Sequence, residues 1–135
     1  MIYLDTSVAL AHLLAEERRP SGRLWDESLV SSRLLEYELW TRLHALRLGD
    51  AHGEEAKALL ARVNFVELVP PVLARALEPW PLPVRTLDAL HLASMAWVIA
   101  QRQSVALASY DEQQIAAARA LGFQIADVES ASLPS

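Results

Sequence analysis

The chain has 135 residues, a length that suits one compact domain, expected to span 1–135. Hydrophobic residues make up 53% and there are no cysteines, which excludes a disordered chain, a disulfide scaffold, a thiolate zinc site and a cysteine nucleophile. The net charge of −5 is at first sight the wrong sign for a nucleic-acid partner, but the distribution of charge outweighs its sum.

The opening Met1-Ile2-Tyr3-Leu4-Asp5 has no basic region, and a carboxylate interrupts its apolar run, so no signal peptide is expected. The longest apolar stretch, 87–100, carries Asp88, His91 and Ser94 and is too short to span a bilayer. A soluble protein with no membrane partner is expected, and the lack of cysteine is compatible with the cytoplasm.

Residues 1–4 read as a short strand with Asp5 just past it. Thr6 or Ser7 can cap a helix running to Glu17, ended by Arg18-Arg19-Pro20. Residues 28–31 read as a second strand, with Leu29 and Val30 at its centre. Apolar residues at 34, 35, 39, 43, 46 and 48 predict a helix over 34–48, with Gly49-Asp50 as its stop. A helix over 54–62, a strand over 65–69 ended by Pro70-Pro71, and a short helix over 72–77 follow. A proline-rich loop leads to Thr86, a good cap for a long helix over 87–102. Residues 105–108 form a small-residue strand, and 111–121 a helix closed by Gly122. Residues 123–126 are a last strand, and the tail from Asp127 looks loose. Strands alternating with helices predict an α/β domain with a mostly parallel sheet, whose ligands sit at the carboxyl ends of the strands.

Four carboxylates draw notice against that pattern. Asp5 and Asp111 each follow a strand, Asp88 lies in the first turn of the long helix, and Glu38 lies one turn into the 34–48 helix. Such a cluster suits phosphodiester cleavage. Mg²⁺ or Mn²⁺ takes oxygen ligands, and one or two direct carboxylates per ion suffice. In one pocket the four would account for four of the five excess negative charges. Each has a plainer reading as well. Asp5 and Asp111 can be simple helix caps, and Asp88 can answer a helix dipole. Glu38 can be solvated, with Glu36 competing for its role, although 38 lies nearer the apolar stripe. Taken singly, both readings stay open for all four.

Taken together and in order, the segments resemble the PIN-domain family, in particular the VapC-type toxins of bacterial toxin–antitoxin pairs. Ile2-Tyr3-Leu4-Asp5-Thr6-Ser7-Val8 is similar to that family's first strand and first acidic residue. The run from Ser31 through Glu38 to Leu39 resembles its serine-led helix, which puts the second acidic residue on Glu38. Arg85-Thr86-Leu87-Asp88-Ala89-Leu90-His91-Leu92-Ala93 is the most specific match, to the third acidic motif. Ala108-Ser109-Tyr110-Asp111 resembles the fourth.

The resemblance implies a three-layer α/β/α sandwich around a central, mostly parallel sheet. It implies an Mg²⁺- or Mn²⁺-dependent RNA endonuclease, a hydrolase acting as the toxin of a pair, that inhibits translation. It also implies a homodimer and a cognate antitoxin. By that carry-over Asp5, Glu38, Asp88 and Asp111 are the catalytic residues and metal ligands, Asp111 directly or through a neighbour. Water would attack phosphorus in line, leaving a 3′-hydroxyl and a 5′-phosphate. Ser7 and Ser109 are placed to orient the carboxylates.

A haloacid-dehalogenase-type phosphatase would want an aspartate at position 7, where Ser7 stands, and a receiver domain would want a lysine near the sheet end, whereas the single lysine is Lys57. The remaining alternative is a catalytically inactive PIN-like module that binds RNA or protein; all four acidic positions are filled, which argues against it. His91, three residues after Asp88, reads as structural sooner than as a general base. Trp25, Trp40, Trp80 and Trp97 read as core or interface, and Arg18, Arg19, Arg33, Arg42 and Arg85 as candidate phosphate contacts.

Overall fold

A computed structural model describes residues 1–15 and 20–129. The strands are β1 (Ile2–Leu4), β2 (Leu29–Ser32), β3 (Val63–Val66), β4 (Ala106–Ala108) and β5 (Gln124–Ile125). They form one sheet in the order β3-β2-β1-β4-β5, and every pairing is parallel. The helices are α1 (Thr6–Leu13), α2 (Leu34–Ala45), α3 (Gly49–Ala61), α4 (Pro70–Ala76), α5 (Thr86–Ala100) and α6 (Glu112–Ala120), with a 3₁₀ turn over Gly22–Asp26.

The period-two alternation of strand side chains divides the core. Ile2 and Leu4 pack with Val8, Leu35, Leu39, Leu43 and Leu59, from α1, α2 and α3. Tyr3 points the other way and packs with Val72, Leu92, Met95 and Ala117, from α4, α5 and α6. The result is the expected three-layer sandwich. Both faces of β1 are therefore covered, which is why it reads as an unbroken apolar run. Leu35, Leu39 and Leu43 are fully buried at helical spacing, and each contributes about 1.5–3 kcal/mol by leaving water.

Several boundaries differ from the sequence reading. Asp5, not Thr6 or Ser7, caps α1, which ends at Leu13. The expected extension to Glu17 and the Arg18-Arg19 stop lie outside the described residues. Gly49 and Asp50 begin α3 and do not stop α2; Arg47, at φ 58°, makes the break. Residue 63 opens β3, two places earlier than expected, and Pro70 and Pro71 begin α4, where a missing N–H costs nothing. Arg85 holds the extended backbone before α5, so Thr86 is its first residue and not its cap. Gly122 closes α6 at φ 80°, as expected. The segment after Asp127 is not loose throughout, since Val128 is buried and its carbonyl accepts from the Ser21 N–H.

Candidate active site

The carboxyl ends of β1, β2 and β4 lie side by side, because Leu4 pairs with Ala108 and Tyr3 with Val30. The turns leaving β1 and β4 begin with Asp5 and Ser109, so neighbouring strands deliver neighbouring polar groups. A pocket of about 490 Å³ opens there, walled by Asp5, Glu38, Asp88 and Asp111 together with Thr6, Ser7, Arg85 and His91. All four expected acidic residues meet in it. Glu36 does not; it pairs with Arg33 at the surface.

Asp5 is 7% exposed. Three donors converge on its Oδ2: the Ser7 hydroxyl at 2.5 Å, the Ser109 hydroxyl at 3.0 Å and the Ser7 N–H at 3.2 Å. Ser7 Oγ also accepts from the Tyr110 N–H, and Ser109 Oγ from the Asp111 N–H. The two serines thus tie the β1–α1 turn to the β4–α6 turn and aim the carboxylate, as the sequence suggested. Burial pushes the Asp5 carboxyl above its ordinary range, against the His91 charge and the serine hydrogen bonds that favour the anion.

Asp111 caps α6, its Oδ1 accepting from the N–H groups of Gln113 and Gln114. Its Oδ2 accepts from Arg85 Nη2 at 2.9 Å, while Arg85 Nε donates to Asp88 Oδ2 at 3.2 Å. Arg85 therefore bridges two carboxylates, with its own side chain 70% exposed. Arg33, another candidate phosphate contact, is spent elsewhere, paired with Glu67 and lying over the Phe65 ring.

Glu38 Oε1 accepts from the Thr6 hydroxyl at 3.1 Å and lies 2.5 Å from His91 Nε2. His91 is 2% exposed and its Nδ1 meets the Tyr3 hydroxyl at 2.8 Å. Burial alone would lower the His91 pKa. The Glu38 hydrogen bond, with the charges of Glu38, Asp5 and Asp88, overcomes this and raises it. The structural role expected of His91 fits its burial, but its companions around Glu38, Tyr3 and Thr6, are not marked in the sequence as such. The one signal for Tyr3 was a hydroxyl on the opposite side of the strand from Ile2 and Leu4.

The donor set is all oxygen and anionic, the chemistry a hard divalent cation selects. As the side chains stand, Arg85 and His91 hold three of the carboxylates, and among the described residues no three acidic or histidine groups are gathered closely enough to hold an ion. The donor chemistry suits such a cation, and the guanidinium now lying across Asp88 and Asp111 belongs to a largely exposed side chain.

The architecture and the sequence have known counterparts. The chain is 32% identical over 130 residues to "Ribonuclease VapC47" of Mycobacterium tuberculosis (strain CDC 1551 / Oshkosh), covering 91% of this chain and 93% of that protein. The crystal structure of M. tuberculosis VapC20, a Sarcin-Ricin loop cleaving toxin, superposes with a TM-score of 0.66 at 22% identity, over 87% of this chain and 95% of that one. At that identity the likeness concerns the fold. A family model for the PIN domain matches residues 2–121, and the chain belongs to the PIN-domain family, among its VapC-type members.

Proposed function

We propose that this VapC-type PIN protein, working as one unit over 1–135, is an Mg²⁺- or Mn²⁺-dependent endoribonuclease and the toxin of a toxin–antitoxin pair. The observation that carries the reading is the meeting of Asp5, Glu38, Asp88 and Asp111, from four separate segments, in one pocket at the carboxyl ends of parallel strands. Burying several carboxylates together is costly in a metal-free fold. Such an arrangement is expected where charge is to be neutralised by a cation and substrate. All four acidic positions are filled and share the pocket, which weighs against an inactive binding module.

A divalent cation held by Asp5, Glu38 and Asp88, with Asp111 beside them, would supply charge neutralisation and an acidified water for attack on phosphorus. The chain's own residues supply the rest. Ser7 and Ser109 hold Asp5 by one oxygen. Arg85, released from Asp88 and Asp111, offers a guanidinium at the pocket mouth to an RNA phosphate. The Leu87 side chain, 47% exposed, gives the rim an apolar edge.

The partners under this reading are RNA, a cognate antitoxin and a second copy of the chain, and the setting is the cytoplasm. Leu77 and Trp97 leave apolar surface for such contacts. Among the described residues no helix is long and apolar enough to cross a membrane.

The test is cleavage of a mixed RNA pool by the purified protein, in Mg²⁺ or Mn²⁺ against EDTA, beside Asp5→Ala and Asp88→Ala. Metal-dependent cutting abolished by both substitutions supports the reading. Cutting that survives both places the chemistry elsewhere and overturns it.

A further inference from the structure

A chain of polar groups reaches the pocket from inside the core. The Ser32 N–H donates to the Tyr3 hydroxyl oxygen at 3.1 Å, that hydroxyl meets His91 Nδ1 at 2.8 Å, and His91 Nε2 meets Glu38 Oε1 at 2.5 Å. Tyr3 is fully buried and His91 nearly so, yet His91 also forms part of the pocket wall. A histidine kept only to satisfy the core would have no need of an edge in the pocket.

The direction of the last bond follows from the chemistry of its neighbour. The Tyr3 hydroxyl is fully buried and lies between the Ser32 N–H and His91 Nδ1. A phenol can donate to Nδ1 or accept from it. The Glu38 carboxylate only accepts, so its contact with His91 calls for a proton on Nε2; a neutral ring then has a bare Nδ1 to which the phenol donates, and a charged ring donates from both nitrogens. Both described hydrogen bonds to Glu38, from Thr6 and from His91, end on Oε1. The oxygen left for a ligand is Oε2.

We propose that the Tyr3–His91 pair, with Thr6, is a positioning device that makes Glu38 a single-oxygen donor, through Oε2, to the divalent cation. The proposal rests on the reading of Glu38 as a metal ligand given under the proposed function. His91 is in this account a positioning residue, acting through Glu38. A glutamate on three rotatable bonds samples many rotamers, and a buried, doubly anchored partner selects one before the cation arrives.

The experiment is Mn²⁺ binding by titration calorimetry to the full chain, with metal-free thermal unfolding run on each variant. His91→Ala is expected to weaken Mn²⁺ by about 10–100-fold. His91→Gln, whose amide can donate to the same oxygen, is expected to recover most of the loss, and Tyr3→Phe to lose less than His91→Ala. In a Glu38→Gln background, His91→Ala is expected to change Mn²⁺ affinity no further. An equal loss in both backgrounds, or no recovery by His91→Gln, makes His91 merely structural and overturns the proposal. If His91→Ala does not fold, His91→Gln and Tyr3→Phe still carry the comparison, and wild-type affinity in Tyr3→Phe overturns it. Wild-type protein that binds no Mn²⁺ sinks the reading of the site itself. Binding that Asp5→Ala abolishes but His91→Ala leaves intact sinks only the positioning role.

Discussion

Asp5→Asn is expected to stabilise the metal-free fold while removing its activity. Asp5 is 7% exposed, and burial holds its carboxyl above the ordinary range in spite of the helpful His91 charge and the Ser7 and Ser109 hydrogen bonds. The folded protein thus favours the neutral form at this position, and an amide supplies that form permanently. Asparagine caps a helix as well as aspartate does, and its oxygen can accept from Ser7 and Ser109 as Oδ2 does now. A gain of about 1–2 kcal/mol is in the range for relieving a strained functional site, or roughly 3–6 °C in Tm for a domain of this size. The sign with pH follows. The folded-state pKa lies above the ordinary value of 3.8 that the unfolded chain keeps. The wild-type penalty is therefore full above the folded pKa, shrinks as pH falls through it, and is gone below the unfolded value. The gap between the two proteins closes over the same window. With Mn²⁺ at about 100 times its Kd the wild type gains about 2.7 kcal/mol, the variant does not, and the order of stability reverses. Thermal unfolding by circular dichroism, in EDTA and in Mn²⁺ across the acidic range, reads all of this. An Asn variant less stable than wild type in EDTA at neutral pH, or a gap that widens on acidification, refutes the reasoning.

Two further outcomes follow from particular contacts. Leu39→Ala, at a fully buried position next to Glu38, is expected to destabilise the fold by about 2–5 kcal/mol, measured by urea unfolding; a loss below that range would mean the site beneath α2 collapses to fill the cavity. Arg85→Ala frees Asp88 and Asp111 of their guanidinium, so Mn²⁺ affinity is expected to rise. RNA affinity falls at the same time, with the slope of log K on log salt reduced by about 1. Unchanged salt dependence in a binding titration would remove Arg85 from the RNA contacts.

The sheet was legible in the sequence from local signals, whereas the four acidic positions stood out as a set only through the ordered resemblance to the PIN-domain family. Short apolar runs marked β1 and β2, and Asp5 stood directly after a strand and Asp111 three residues after one, where a parallel sheet puts polar groups to use. The helix boundaries were less legible. A glycine after an apolar-periodic stretch usually ends a helix, but here Arg47 takes the left-handed conformation and Gly49 is free to begin α3. Thr86 looked like a cap by composition, yet the residue with extended backbone is Arg85. The companions of Glu38 were illegible for another reason. Tyr3, Ser32 and His91 are far apart in the chain, and only the β1–β2 pairing and the packing of α5 under the sheet bring them together.

For Asp5 and Asp111 the plain reading as a cap and the reading as a site residue do not compete. A carboxylate has two oxygens, and the fold uses them differently. Asp111 caps α6 through Oδ1 and turns Oδ2 to the guanidinium of Arg85. Asp5 caps α1 and collects its donors on Oδ2, and Glu38 collects its own on Oε1. In each case one oxygen is anchored to a helix start, a serine or a histidine, and the anchor sets the orientation of the other. For Asp5 and Asp111, capping is therefore the means by which the sheet end aims an acidic group. Replacing a cap by another good cap such as asparagine is expected to preserve the fold and remove only the charge, and this separates the structural role of Asp5 from its chemical one.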